Sequence, residues 1–297
     1  QLVSVVFVTL YLISNIGDFA GEIKDFTYGL GVLSEMQRYI DELFEFGHAR
    51  SSISTAPDVS PGTFHPTKGK VSFQNVSYTY SNSKTKALDH VSLEVKDGTS
   101  VALTGKIGSG KSTVTKLLLR LYTPATGTIR VDDTVINTLP PEEVRQYIGY
   151  VSQTPILFNR SIYDNIVYGS KKPISKKEVW AFIRRSGVEP LFETVPNGLN
   201  TVVGKRGEYL SGGQRQTIAL LRLALADSHK PIFLLDEPTS ALDYESKHYV
   251  LALLKKLMRN HTCLVVTHDE DVERMMDNVL VFNAGKLVSK TSTPNSS

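Results

Sequence analysis

Hydrophobic and polar positions change rhythm several times along the chain. Residues 2–13 form one apolar run that includes Val3, Val5, Val6, Phe7, Val8, Leu10, Tyr11 and Leu12. Over residues 16–46 the rhythm becomes helical. Phe26, Leu30, Leu33, Met36, Ile40, Leu43 and Phe44 recur at steps of three and four, with Lys24, Glu35, Arg38 and Asp41 between them. Residues 49–68 lose all period and are dominated by Ser, Thr, Pro and Gly, the composition of a linker. From Gly69 alternation takes over: Val71/Phe73, then Val76/Tyr78/Tyr80, then Val91/Leu93/Val95. These runs predict half-buried antiparallel strands. Val101-Ala102-Leu103, Ile232-Phe233-Leu234-Leu235 and Cys263-Leu264-Val265-Val266 are short and apolar throughout. Such runs predict strands buried on both faces, in a parallel sheet covered by helices. Residues 279–288 read as a hairpin turning at Asn283-Ala284-Gly285, and the Ser/Thr-rich tail from Ser289 reads as unstructured. The expected division is a helical segment over 1–48, a linker over 49–68, one mixed domain over 69–288 and a disordered tail over 289–297.

The first segment admits three readings. Twelve residues at about 1.5 Å rise reach only about 18 Å, against a hydrocarbon core of about 30 Å. The run could be a buried core helix or a signal peptide, although no basic residue precedes it and the first is Lys24. It could also be the end of a membrane helix that begins upstream of Gln1. Gly17, Gly21, Gly29 and Gly31 favour the last reading. Each costs a soluble helix about 1 kcal/mol relative to Ala, and glycine is commoner in membrane helices.

Composition narrows the function classes. The 297 residues are 41% hydrophobic and 21% charged, which excludes a disordered chain, a collagen-like repeat and a polytopic membrane protein. One cysteine excludes an intrachain disulfide. A net charge of +3 is too small to imply nucleic acid. The basic cluster Lys171, Lys172, Lys176 and Lys177 therefore reads as a solvated face.

Candidate chemistry begins at Gly105-Lys106-Ile107-Gly108-Ser109-Gly110-Lys111-Ser112-Thr113, which matches G-x-x-x-x-G-K-[ST]. A buried strand precedes the motif and a helical run (Val114, Leu117, Leu118, Leu121) follows. That context suits a loop whose backbone N–H groups surround phosphate oxygens at a helix N-terminus. Lys111 is placed for the β- and γ-phosphates, and the Ser112 hydroxyl for Mg²⁺. The apolar run 232–235 delivers Asp236 and Glu237 to the end of a buried strand, where ligands gather in open α/β sheets. Asp236 is the second candidate Mg²⁺ residue, and Glu237 is placed to polarise an attacking water.

Between these two motifs stands Leu210-Ser211-Gly212-Gly213-Gln214, which resembles the signature of ATP-binding cassette (ABC) ATPases. Further residues fall in the order of that family. Tyr80 resembles the aromatic that stacks on adenine. Gln153 resembles the glutamine that senses Mg²⁺ and the transport domain. Ser240-Ala241-Leu242-Asp243 resembles the loop that crosses a dimer interface, and Thr267-His268-Asp269 carries the switch histidine. The resemblance covers residues 69–288 and implies an α/β P-loop NTPase fold of the ABC-ATPase type. That fold has a mixed-sheet core, an antiparallel β subdomain and a helical signature subdomain, here preceded by the long N-terminal helix.

It also implies a site shared between two copies. ATP would contact Tyr80, the loop 105–113 and, from a partner domain packed head to tail, Ser211, Gly212, Gly213, Gln214 and Asp243. Mg²⁺ would join Ser112, Gln153 and Asp236, and catalysis would use Glu237, His268, Gln153 and Lys111. Thr201-Val202-Val203-Gly204-Lys205-Arg206-Gly207, and Pro155-Ile156-Leu157-Phe158 with Ser161-Ile162-Tyr163-Asp164-Asn165-Ile166, are similar to exporter segments, although Lys205 stands where the family usually has Glu. The implied parent is a membrane exporter with its cassette on the cytoplasmic or matrix-like side. Its partners would be a second cassette and a transmembrane domain, with no nucleic acid. Two alternatives remain at this stage: a soluble ABC ATPase acting on ribosomes or DNA, and a nucleotide-gated binding module without turnover.

Overall fold

The three continuously apolar runs are the centre of the fold. In the computed structural model, which describes residues 64–226, 230–240, 242–259 and 261–292, they are neighbouring parallel strands. The order of elements is β1 (Val71–Tyr78), β2 (Leu88–Val95), β3 (Ser100–Gly105), α1 (Lys111–Leu118), β4 (Thr126–Val131), β5 (Thr134–Val135), α2 (Pro141–Arg145), β6 (Ile148–Val151), α3 (Ile162–Val167), α4 (Lys176–Ser186), α5 (Pro190–Glu193), α6 (Gly212–Ala226), β7 (Ile232–Asp236), α7 (Tyr244–Met258), β8 (Thr262–Val266), α8 (Glu270–Met275), β9 (Asn278–Asn283) and β10 (Lys286–Ser292).

A six-stranded sheet runs β10-β9-β3-β8-β7-β6, and a four-stranded antiparallel sheet runs β2-β1-β4-β5. Strands β6, β7, β8, β3 and β9 are parallel, and β10 pairs antiparallel with β9. Successive side chains of the central strands alternate between two cores. Val101, Leu103, Ile232, Leu234, Leu264 and Val266 face the antiparallel sheet and α1. Ala102, Phe233, Leu235, Cys263 and Val265 face α6 and α7. Burial on both faces is why no polar residue interrupts these runs. Trp180 and Phe182 pack half-buried against the second core.

Three local readings need correction. The runs Val71/Phe73 and Val76/Tyr78 are a single strand, β1, whose register shifts between Phe73 and Val76. An irregularity of this kind moves the apolar alternation from odd to even positions, and Asn75 within it takes φ 55°. Tyr80 lies beyond the strand end. The hairpin turn is Ala284-Gly285 alone, both at positive φ, with Asn283 already paired to Lys286. The tail is structured as far as Ser292, because β10 continues pairing through Ser292↔Asn278.

The domain also starts before Gly69. Phe64 is buried edge-on against Tyr147, and the Asp132 carboxylate accepts from the Thr67, Lys68 and Lys70 N–H groups. The helix expected over residues 1–48 and the linker up to residue 63 lie outside the described residues. Among the described residues no helix is long and apolar enough to cross a membrane.

Candidate active site

Parallel strands bring their C-terminal ends to one edge, and four of them deliver site residues there. β3 ends at Gly105 and runs into the phosphate loop. β7 ends at Asp236, with Glu237 next. β8 ends at Val266, followed by Thr267-His268. β6 ends at Val151, two residues before the exposed Gln153. Lateral pairing fixes the edge: Leu103 and Asp236 both pair with Val266, and Val151 pairs with Leu235. The Thr267 N–H donates to Leu103 O at 3.2 Å, and the Glu237 N–H to Val266 O at 2.8 Å.

The loop 105–113 is tightly held. Gly105 is at φ 131°, and a Cβ there would come within 2.1 Å of Phe282 O, so only glycine fits between β3 and β9. Buried Lys111 donates from Nζ to Gly105 O at 2.7 Å and Lys106 O at 3.0 Å, which curls the loop over its own ammonium. Ile107 is fully exposed at the loop tip. The N–H groups of Gly108, Gly110, Lys111 and Ser112 have no acceptor among the described residues, and the Ser109 hydroxyl is buried without a partner. A concave loop with free amides, an orphaned hydroxyl, an ammonium and a helix N-terminus fits a polyphosphate. Tyr80 sits beside it. Its hydroxyl is 3.1 Å from Thr113 Oγ1, and its ring stacks edge-on against Tyr78 and Tyr122.

Charge is concentrated at the end of β7. Burial pushes the Asp236 carboxyl up, the Glu237 charge pushes it further, and Lys116 and Lys111 oppose both. A cation there would relieve this unfavourable pairing. The Ser112 hydroxyl, Gln153 amide and Asp236 carboxylate are hard oxygen donors of the kind Mg²⁺ takes. Glu237 is held at φ 48°, the left-handed region that costs a residue with a side chain about 1–3 kcal/mol. Its carboxylate meets an imidazole, with His268 Nδ1 2.9 Å from Oε1 and 2.8 Å from Oε2.

The signature residues do not join this edge. Ser211 Oγ accepts from the Gln214 N–H at 3.1 Å, while Gln214 Oε1 accepts from the Ser211 N–H at 2.9 Å. This reciprocal capping box starts α6. Gln214 Nε2 also donates to Leu191 O at 2.9 Å, tying the box to α5. The Gly212 and Gly213 N–H groups find no acceptor among the described residues. Gly213 is required by packing, since a Cβ would lie 2.5 Å from Ser246 Oγ on α7. Asp243 caps α7 by accepting from the Ser246 N–H at 2.7 Å. The exporter-like segments meet each other. Ile162 N–H donates to Thr201 O at 2.9 Å and Val203 N–H to Arg160 O at 3.0 Å, leaving Lys205 and Arg206 exposed.

Sequence reasoning gave no role to Lys247 or Asp269, which link the loops behind Glu237 and His268. The one local signal was an Asp immediately before a short acidic helix, the pattern of an N-cap.

Known proteins bear on this site. Residues 88–240 match the ABC transporter family. The ATP-dependent lipid A-core flippase of Nitrosococcus oceani is 38% identical over 223 residues, which is 75% of this chain and 37% of that protein. The flippase of the same name from Chromobacterium violaceum is 36% identical over 262 residues, 88% of this chain and 42% of that protein. The chain thus spans about two fifths of the length of these curated relatives. A bacterial Atm1-family ABC exporter, solved with ATP bound, superposes with a TM-score of 0.69 at 31% identity, covering 84% of this chain and 44% of that one. These matches show that this chain belongs to the ABC transporter family and carries the ATPase domain of its exporter type.

Proposed function

We propose that the domain binds and hydrolyses Mg·ATP and that this drives transport across a membrane through closure of two cassettes. The observation that carries the reading is the single sheet edge uniting the phosphate loop, Asp236 and the Glu237–His268 pair. Lys111 and the free amides of the loop hold the β- and γ-phosphates. Tyr80, adjoining Thr113 at the start of α1, offers its ring to the adenine. Mg²⁺ held by Ser112, Gln153 and Asp236 would neutralise charge on the phosphate oxygens. Glu237 orients a water in line with the γ-phosphate, and His268 fixes the carboxylate that does so. Preorganised donors of this kind are worth about 3–4 kcal/mol each to a transition state.

Ser211, Gly212 and Gly213 complete the site of a partner copy in this reading. The Gly212 and Gly213 amides stand at the start of the 15-residue helix α6 with no acceptor in their own chain among the described residues. A helix start of this kind favours an anion. Asp243 would contribute from the same side, along the loop that ends at the α7 cap. Flippase and exporter relatives, which match most of this chain, support membrane transport over action on ribosomes or DNA. The paired Glu237 and His268 support turnover over a binding module.

The reading is tested in the intact protein by phosphate release with Mg·ATP. Lys111→Ala is expected to abolish both nucleotide binding and release. Dimers with Ser211→Arg in one subunit are expected to lose the site completed by that subunit. Mixed dimers with full activity at both sites would refute the head-to-tail arrangement.

A further inference from the structure

The loops behind Glu237 and His268 are tied together twice. The first tie is the carboxylate–imidazole contact itself, and its histidine is 72% exposed. The second is more enclosed, with Thr239 buried and Asp269 half-buried. Two residues beyond Glu237, the Thr239 hydroxyl donates to Asp269 Oδ2 at 2.7 Å. One residue beyond His268, Asp269 Oδ1 accepts from Lys247 Nζ at 2.8 Å and from the Asp271 N–H at 3.0 Å. The Asp269 N–H donates to Thr267 Oγ1 at 3.0 Å, and both threonines are buried. The Asp269 carboxylate thus accepts three hydrogen bonds, one at Oδ2 and two at Oδ1, and its own N–H makes a fourth contact that fixes the residue.

Lys247 extends the same anchor to α7, one turn after the Asp243 cap. Thr239 is thus held by Asp269, and Asp243 is held by the helix it caps. Burial disfavours the charged form of Asp269, but its bonds to Lys247 and Thr239 outweigh this and hold the carboxyl below the usual carboxylate range. The same contact raises the Lys247 ammonium above its usual value. The anchor stays charged on both sides throughout the neutral range.

We propose that Asp269 is a positioning residue that holds, through Thr239, the loop following Glu237, so that Glu237 and His268 stay within hydrogen-bonding distance. The proposal rests on the reading of Glu237 as the water-orienting carboxylate. Glu237 sits in a strained backbone conformation, and strain persists only where surrounding contacts over-determine it. Thr239 and Asp269 supply such contacts at a distance of two residues. Releasing the loop would let the Glu237 carboxylate drift from its productive orientation while leaving the phosphate loop intact.

The test uses Thr239→Val in the intact protein, which removes the donor and keeps the shape. Turnover number, ATP dissociation constant and melting temperature are read together. Turnover is expected to fall about tenfold or more, since small misplacements of a reacting group are costly. ATP affinity should stay within about twofold, because no phosphate-loop contact is lost. Thr239→Ser should restore turnover, and Thr239→Val combined with Asp269→Ala should be no slower than Asp269→Ala alone. Parent turnover in Thr239→Val would overturn the proposal. So would a loss of turnover that follows lost ATP affinity or a lowered melting temperature and that Thr239→Ser fails to restore. Glu237→Gln is assayed in parallel. If it hydrolyses ATP at the parent rate, the reading of Glu237 fails and the proposal with it. If it is inactive while Thr239→Val is unimpaired, only the positioning role fails.

Discussion

His268 reaches across from the end of β8 and sets its Nδ1 2.8–2.9 Å from both oxygens of Glu237 at the end of β7. Neighbouring parallel strands make this possible, because Asp236 and Val266 share a rung and each chain turns off the sheet just beyond it. Glu237→Gln keeps the side-chain shape and removes the charge that would orient water in the proposed mechanism. It is expected to retain ATP binding and lose turnover by a factor on the order of 10² or more. His268→Ala should lose turnover as well, with ATP affinity little changed. Phosphate release and equilibrium nucleotide binding, measured on the same preparations, check both outcomes.

Asp236 gives a prediction of opposite sign for stability. Its carboxyl is pushed up by burial and by the Glu237 charge, with Lys116 and Lys111 opposing. A carboxyl raised by folding contributes its full stability below the unfolded value of about 3.9 and loses it as pH rises through the folded value. At neutral pH the buried charge is therefore a burden on the nucleotide-free domain. Asp236→Asn should melt higher than the parent at pH 7 without nucleotide, with the gap closing as pH falls toward the unfolded value. The same variant should lose Mg²⁺-dependent turnover. Melting curves over a pH series, set beside hydrolysis assays, test the two halves separately.

How far the chain declares this arrangement differs from element to element. Central strands were legible because burial on both faces leaves a continuous apolar run, as in Ile232 to Leu235. The phosphate loop and the Asp236-Glu237 pair were legible because their chemistry is local in sequence. β1 was misread as two runs because its register shift is invisible to an alternation count. The end of β10 was misread because Ser289 to Ser292 are exposed and polar, and only pairing with β9 makes them a strand. The Thr239–Asp269 tie spans 30 residues and joins two loops, so no spacing rule exposes it. Gln214 carried a nucleotide role by resemblance, while its side chain is occupied in closing the capping box and holding Leu191.

Gly213 couples the signature to α7 by close approach rather than by conformation. A Cβ there would lie 2.5 Å from Ser246 Oγ and 2.6 Å from Ser246 Cβ. Gly213→Ala is expected to destabilise the domain by about 1–3 kcal/mol, the usual cost of overpacking. Ser246→Gly removes both clashing atoms and should recover part of the loss in the double variant, whereas Ser246→Ala leaves the Cβ contact and should recover little. A double-mutant cycle by chemical denaturation measures the coupling, and strict additivity would contradict the packing argument.

Asn165 organises the segment that follows Gln153. Fully buried on α3, it accepts from the Phe158 N–H at 2.9 Å and donates to Phe158 O at 2.9 Å and Ser161 O at 3.0 Å. Arg222 on α6 donates to Asn165 O at 2.8 Å and Asn165 Oδ1 at 3.0 Å, and its guanidinium lies over the Phe158 and Tyr168 rings. Asn165→Ala leaves the part-buried Phe158 N–H without its acceptor, at a cost of about 1–3 kcal/mol, while Phe158 O keeps the Arg160 N–H. The melting temperature should fall, and amide exchange should accelerate around Phe158. Arg222→Lys keeps the charge but lacks the planar fork that serves both oxygens of Asn165 and covers both rings. It should accelerate exchange in the same segment with a smaller loss of stability. Hydrogen exchange resolved to residues 155–168 separates this local loosening from general destabilisation. Unchanged exchange there in both variants would mean that the segment is held by other contacts.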